Sequence, residues 1–176
     1  MNKDNSISKI IFVVIFLLAV ALDQITKNLA VTMLDPGEPV NVIKDVFQFV
    51  YTENMGAAFG FMQGRQVLFY IITGLVIFAI LYFLYKMPGS QKYLAVGIVL
   101  SFILAGAVGN LIDRISHKYV VDFIYFKPID FPVFNVADIF VTLGCIAFAI
   151  LVIFVYKDRD FDFLAPRKKN DTAGRG

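Results

Sequence analysis

Residues 93–114, YLAVGIVLSFILAGAVGNLIDR, decide the fold. No charge interrupts the run from Tyr93 to Ile112, and crossing about 30 Å of hydrocarbon takes roughly 20 such residues. The run reads as a transmembrane helix ending on a polar group, Asn110, Asp113 and Arg114, that hydrocarbon would penalise. The rest of the chain shares the bias. Of its 176 residues, 59% are apolar types and 17% are charged, against about 45–50% and about 25% in soluble domains. That balance excludes a disordered chain, a basic nucleic-acid-binding domain and a soluble globule, and a net charge of +2 adds little. One cysteine, Cys145, and one histidine, His117, leave no disulfide framework, thiolate metal cluster or His-Glu-x-x-His zinc site. Cys145 is expected to pack inside the bundle and His117 to sit in a solvated loop.

Working outward, Val67–Tyr85 and Val136–Tyr156 are two further spans. The first hydrophobic stretch, Ile10–Leu22, is short and ends in Ala19-Val20-Ala21, the pattern of a cleavable signal peptide. Apolar spacing nevertheless continues through Ile25, Leu29, Ala30 and Met33, which favours an uncleaved helix over about 7–34. The expected fold is an all-α integral membrane protein: a four-transmembrane-helix bundle over about 7–34, 67–85, 93–112 and 136–156, in one domain of residues 1–165. A polar, disordered tail follows over 166–176. Ten of the sixteen Lys and Arg lie in the amino-terminal tail, the Lys86–Lys92 turn and the segment from Lys157, so both termini are expected in the cytoplasm. The connections 35–66 and 113–135 then face outward. Within them, Val46–Thr52 and Tyr119–Phe126 are rich in β-branched and aromatic residues and read as small β elements at the extracytoplasmic interface.

Ionisable groups at membrane depth cost about 2.5 kcal/mol or much more, so each is a functional candidate. They gather at one depth: Asp23 and Lys27 late in the first helix, Asn110, Asp113 and Arg114 ending the third, Asp122 in the loop, Asn135 and Asp138 opening the fourth. Structural readings stay open beside functional ones. Asp23 and Lys27 have the spacing of an intrahelical ion pair, Arg114 can snorkel to headgroups with Asp113 beside it, and Asn135 with Asp138 can simply cap a helix. Asp122, within Val120-Val121-Asp122-Phe123-Ile124, has no evident local stabilisation. Ala105-Gly106-Ala107 and Gly109 allow tight helix packing, and Gly56-Ala57-Ala58-Phe59-Gly60 reads as a loop of close backbone approach.

If Asp122 and Asp138 meet, repulsion and burial keep both from ionising together, and the pair shares one proton. The charged member can then deprotonate an attacking water while the protonated member supports the oxyanion, without a metal or other cofactor. Asp138, near the positive end of a helix, is expected to carry the charge and Asp122 the proton.

Five ordered blocks resemble the signatures of bacterial lipoprotein signal peptidase, signal peptidase II. They are Asp23-Gln24-Ile25-Thr26-Lys27, Glu53-Asn54-Met55-Gly56-Ala57-Ala58-Phe59-Gly60, Gly109-Asn110-Leu111-Ile112-Asp113-Arg114, Val120-Val121-Asp122-Phe123 and Phe134-Asn135-Val136-Ala137-Asp138. The resemblance covers the chain from the first helix to the fourth. It implies an aspartic endopeptidase of the bacterial cytoplasmic (inner) membrane that cuts prolipoproteins before a diacylglyceryl-modified cysteine and is inhibited by globomycin. By the same resemblance Asp122 and Asp138 are catalytic, and Asn54, Asn110, Arg114 and Asn135 orient substrate or support the dyad. Asp23 and Lys27 match the first-helix motif. Expected partners are lipid-modified prolipoproteins, membrane lipid and globomycin-type inhibitors, with no nucleic acid and a monomeric chain. Phe47, Phe49, Tyr51 and Phe61 are expected to form an interfacial platform for the peptide.

Two other classes compete with this reading. A small proton-coupled transporter with an acidic relay would place its charges near the bilayer midplane and break its helices. A noncatalytic scaffold would have no use for clustered acids.

Overall fold

The computed structural model describes residues 3–34, 37–56 and 66–165. Four long helices form: α1, Lys3–Met33; α2, Gln66–Lys86; α3, Leu94–His117; and α4, Val136–Ile150, prolonged by one π-helical turn, Leu151–Val155. All four are long and apolar enough to cross a membrane, and the chain is a multi-pass membrane protein. The helix α3 is the axis of the bundle, with α1, α2 and α4 packed around it. Its Val96, Leu100, Ile103, Leu104 and Ala105 are buried, whereas the outer helices turn Leu18, Leu75, Phe78, Leu143 and Ile153 outward. In water such a surface would be an aggregation hazard; in hydrocarbon it is the solvated face.

Small residues set how closely the helices approach. A Cβ on Gly106 would collide with the Ala137 carbonyl oxygen and the Val141 side chain, so α3 and α4 nearly touch through their backbones there. On α4 the residue turned inward is Gly144, against Ile103 of α3. Its neighbour Cys145 is exposed, contrary to the expectation that it packs in the bundle, because the face one residue on from the α3 contact points away from the core.

The third helix also runs past its expected end at Ile112, to His117. Asp113 and Arg114 are therefore helical rather than part of a loop. The helix can continue because Asp113 is buried among donors, and it stops where Lys118 turns left-handed at φ 72° and its N–H bonds the Arg114 carbonyl. His117 is exposed as anticipated, but it is the last helical residue and its ring lies against Tyr119.

The two expected strands form as β2, Phe47–Asn54, and β3, Val120–Phe126, paired antiparallel. The sheet has one further member, β1, Val40–Ile43, on the free side of β2. Past Phe126 the chain returns to β3, where Phe134 exchanges backbone hydrogen bonds with Ile124, and the next residue opens α4. That return joins the strand bearing Asp122 to the helix bearing Asp138. The opposite end of the bundle is closed by a 3₁₀ helix, Asp158–Leu164, whose Phe161 and Phe163 pack with Phe83, Tyr93, Phe148 and Tyr156. The segment Ala57–Gly60, Phe61 and the tail 166–176 lie outside the described residues.

Candidate active site

Every polar residue singled out in the sequence arrives at the sheet-bearing end. Asp122 stands in β3 opposite Thr52 of β2, next to an irregularity in the pairing between Phe49 and Thr52, and is 1% exposed. Asp138 is the third residue of α4, where an Asn135 cap forms a complete capping box: the Asp138 N–H donates to Asn135 Oδ1 and the Asn135 N–H to Asp138 Oδ2. The cap is also a bridge. Asn135 Nδ2 donates to Asp122 Oδ1 at 2.6 Å, so one residue donates to both carboxylates, through its side chain to Asp122 and through its backbone N–H to Asp138.

Three amides hold the pair, and each has its orientation forced by a donor. The Gly56 N–H occupies Asn54 Oδ1, which turns Asn54 Nδ2 to Asp122 Oδ2 at 2.8 Å. The Asp138 N–H occupies Asn135 Oδ1 in the same way. Lys27 Nζ and Asn135 Nδ2 both reach Asn110 Oδ1, leaving Asn110 Nδ2 for Asp138 Oδ1 at 2.8 Å. All four carboxylate oxygens of the two aspartates thus accept a hydrogen bond, so Asp122 is not the unsupported carboxylate that its apolar flanks suggest. Burial nevertheless pushes its carboxyl up to about 7, with the Asn54 and Asn135 donors opposing and the charge of Asp138 reinforcing the rise.

Behind the amides lies an ion triad. Lys27 Nζ is 3.0 Å from Asp23 Oδ2 and 2.9 Å from Asp113 Oδ2, and all three side chains are almost fully buried. The intrahelical pair expected between Asp23 and Lys27 is thus half of a larger arrangement. Gln24, which the sequence reading passed over, donates to Asp23 Oδ2, to the Gly109 carbonyl and to Asp113 Oδ1. Its signal was an amide in an apolar helix between two charged residues. Gly109 must lack a side chain, because a Cβ would strike Asp23 Oδ2.

Arg114 does not snorkel away from the cluster. Its guanidinium lies over the Phe69 ring, 5.0 Å from the centroid, and Tyr70 of α2 donates to the Arg114 carbonyl at 2.8 Å. Neither α2 aromatic stood out in the sequence, since an aromatic near a span end is ordinary.

Two cavities meet at Asp138. The larger, about 1190 Å³, has Asp122, Asp138 and Asn54 on its polar side and Met55, Phe131 and Leu143 among its apolar walls. The smaller, about 240 Å³, lies between α2, α3 and α4 and reaches Asp138, Asn110 and Arg114. The aromatic platform is placed differently from expectation. Phe47, Phe49 and Tyr51 pack with Ala30, Val121 and Phe123 beneath the sheet, because that face of β2 is turned toward α1. The larger cavity takes its rings from Phe131 and Phe134 instead.

A family model described as signal peptidase (SPase) II matches residues 15–154. Among curated proteins, a lipoprotein signal peptidase of Clostridium tetani is 42% identical over 153 residues, covering 85% of this chain and 95% of its own. One of Caldanaerobacter subterraneus is 46% identical, covering 81% and 95%. Two solved structures of a bacterial membrane enzyme, obtained by the in meso method, superpose with a TM-score of 0.72 each. They are 34% and 33% identical, covering 80% and 82% of this chain and 86% and 94% of theirs.

Proposed function

The chain belongs to the signal peptidase II family and is a peptidase acting on lipoprotein signal peptides; from that premise we propose that Asp122 and Asp138 are its water-activating dyad, cutting before a diacylglyceryl-modified cysteine. The carrying observation is that one residue, Asn135, donates to both carboxylates at the wall of one cavity, its side-chain Nδ2 to Asp122 and its backbone N–H to Asp138. In the proposed cycle Asp138 enters as carboxylate, favoured by the N-terminus of α4 and its two donors, and Asp122 enters protonated. Asp138 takes a proton from water as the water oxygen attacks the scissile carbonyl carbon, and Asp122 gives its proton to the developing oxyanion. Asp138 then passes its proton to the amide nitrogen, the C–N bond breaks, and the carbonyl re-forms as the former oxyanion returns a proton to Asp122. Both residues end as they began, and the water is divided between the new acid and the new amine.

Asn54, Asn110 and Asn135 hold the dyad, Arg114 faces substrate in the smaller cavity, and Asp23, Lys27 and Asp113 support the site. The apolar walls of the larger cavity suit a substrate whose cysteine carries acyl chains. The distribution of Lys and Arg supports cytoplasmic termini in the inner membrane, with the sheet-bearing end and its site outside. A globomycin-type cyclic peptide is the matching inhibitor, and the chain acts as a monomer. In cells carrying Asp122→Asn in place of the wild type, uncleaved diacylglyceryl prolipoprotein accumulates; normal processing by that variant overturns the reading.

A further inference from the structure

The ion triad makes contacts that ion pairing alone does not require. Asp113 Oδ2, besides Lys27, accepts the backbone N–H of Val121 at 3.1 Å. Asp23 Oδ1 accepts the backbone N–H of Ala137 at 2.9 Å, while its other oxygen holds Lys27. Val121 immediately precedes Asp122, and Ala137 immediately precedes Asp138. One ammonium therefore holds two carboxylates, and each carboxylate holds the main chain one residue before a dyad aspartate. A third contact of the same ammonium, to Asn110 Oδ1 at 2.8 Å, reaches Asp138 through the Asn110 amide.

We propose that Lys27, acting through Asp23 and Asp113, is the positioning residue that sets the separation of Asp122 and Asp138, with Gln24 as a second tie between the same two carboxylates. The proposal rests on the dyad reading above. The two aspartates come from different elements, a strand and a helix, and between them the chain runs through a short 3₁₀ turn, Lys127–Ile129, and a return that meets β3 at Phe134, with no long element to fix α4 against β3. Ordinary bundle packing does not register a strand against a helix to a fraction of an ångström, and a proton-sharing pair needs that precision. A buried cation with two fixed acceptors supplies it, because its hydrogens are all engaged and neither carboxylate can shift without losing charge-assisted bonds. The charged groups facing Lys27 are Asp23 on its own helix and Asp113 on α3, with Asp122, Asp138 and Arg114 beyond the amides.

The test uses the full chain in lipid with a synthetic diacylglyceryl-cysteine peptide, and compares Asp23→Asn, Asp113→Asn, their double variant and Lys27→Met. Each single Asn variant keeps the shape of the side chain. The expected result is kcat reduced at least about tenfold with KM within about twofold, and a pH–rate bell narrowed by about one unit, because coupling between two aspartates weakens as they separate. Loss of a distant charge alone would move both limbs together and keep the width. The double variant is expected to lose no more than Lys27→Met, since both carboxylates act through one ammonium. If Lys27→Met does not fold, the two Asn variants decide alone through bell width. An unchanged width with a lowered thermal midpoint would make the triad a helix tie only and overturn the proposal, as would losses that multiply independently. Asp122→Asn in the same assay separates the two ideas: retained cleavage there sinks the dyad itself.

Discussion

The two ends of the bundle solve the same problem with opposite chemistry. At the tail-bearing end, Phe83, Tyr93, Phe148, Tyr156, Phe161 and Phe163 bring α2, α3, α4 and the final 3₁₀ helix together, with ring centroids such as Phe83–Phe163 and Tyr93–Phe163 at 5.4 and 5.5 Å. Aromatic pairs of this kind add about 0.5–1.5 kcal/mol each beyond their burial. At the sheet-bearing end, α1, α3, β3 and α4 are joined by buried carboxylates, amides and one ammonium. Burying such charges is expensive, and well-packed apolar residues often replace them at no cost or with a gain. The ring-closed end shows that this chain can tie helices together cheaply. The buried acids at the other end therefore have no need as helix ties, which supports the chemical role proposed for them.

The largest break in this comparison comes from Asn135→Leu. Losing the cap and leaving the Asp122 carboxyl with one donor fewer costs about 1 kcal/mol or somewhat more in stability. Cleavage is expected to fall much further, by about 10²-fold or more, because the same side chain holds the Asp122 carboxylate and the Asp138 main chain of the proposed dyad. Thermal unfolding in detergent and initial-rate assays on one preparation check the pair of effects, and equal proportional losses would mean that Asn135 is only a cap. A second effect is pH dependence. On the proposed assignment Asp122 must be protonated to serve the oxyanion, and burial places its carboxyl at about 7. Its protonated fraction falls as pH rises through that value, so kcat/KM declines tenfold per unit above about pH 7 to 8. A profile flat through pH 9 would mean that the pair keeps its shared proton well above 7 and would overturn this prediction.

How much of this was legible depended on whether the signal was local. Hydrophobic runs gave all four helices, since span length is a property of a segment, and scarce acids at one depth pointed to the cluster that the fold brings together. The cap was readable from Asn135 and Asp138 because both lie within one helical turn. What failed was non-local. The route of Asp113 to Val121 and of Asp23 to Ala137 joins distant segments, and no spacing rule predicts it. Gln24 was passed over for the same reason: its partners lie on α3. Phe47 and Phe49, expected in an interfacial platform for the peptide, pack against Ala30 and Phe123 instead, because strand alternation tells which residues share a face but not which face meets α1. The final 3₁₀ helix was hidden in a charged segment whose two half-buried rings, Phe161 and Phe163, are too few to make a period.

Smaller effects belong to the ring-closed end, where function should follow stability alone. Phe161→Ala removes a ring packed against Phe83, Tyr156 and Phe163, and costs about 2–4 kcal/mol given its partial exposure. The folded fraction keeps its kcat, KM and bell width. A narrowed bell would mean that the two ends are coupled through α3 and would break the contrast between them.

The smallest effect is at Lys92 and Asp160, the one ion pair at the ring-closed end among the described residues. Asp160 also accepts the Lys157 N–H, and the half-exposed Lys92 ammonium holds its carboxyl below the ordinary range. A carboxyl depressed in the folded state contributes stability that is present above the unfolded value of about 3.9 and is lost as pH falls through the lower folded value. Asp160→Asn is thus expected to lower the thermal midpoint at pH 7 by less than Phe161→Ala does, and to match the wild type once acid has protonated both. Salt should shrink the difference, because the pair is open to solvent on the Lys92 side. The Lys27 pairs at the opposite end, almost fully buried, should show no such salt response, and a comparable response there would mean that water reaches the triad.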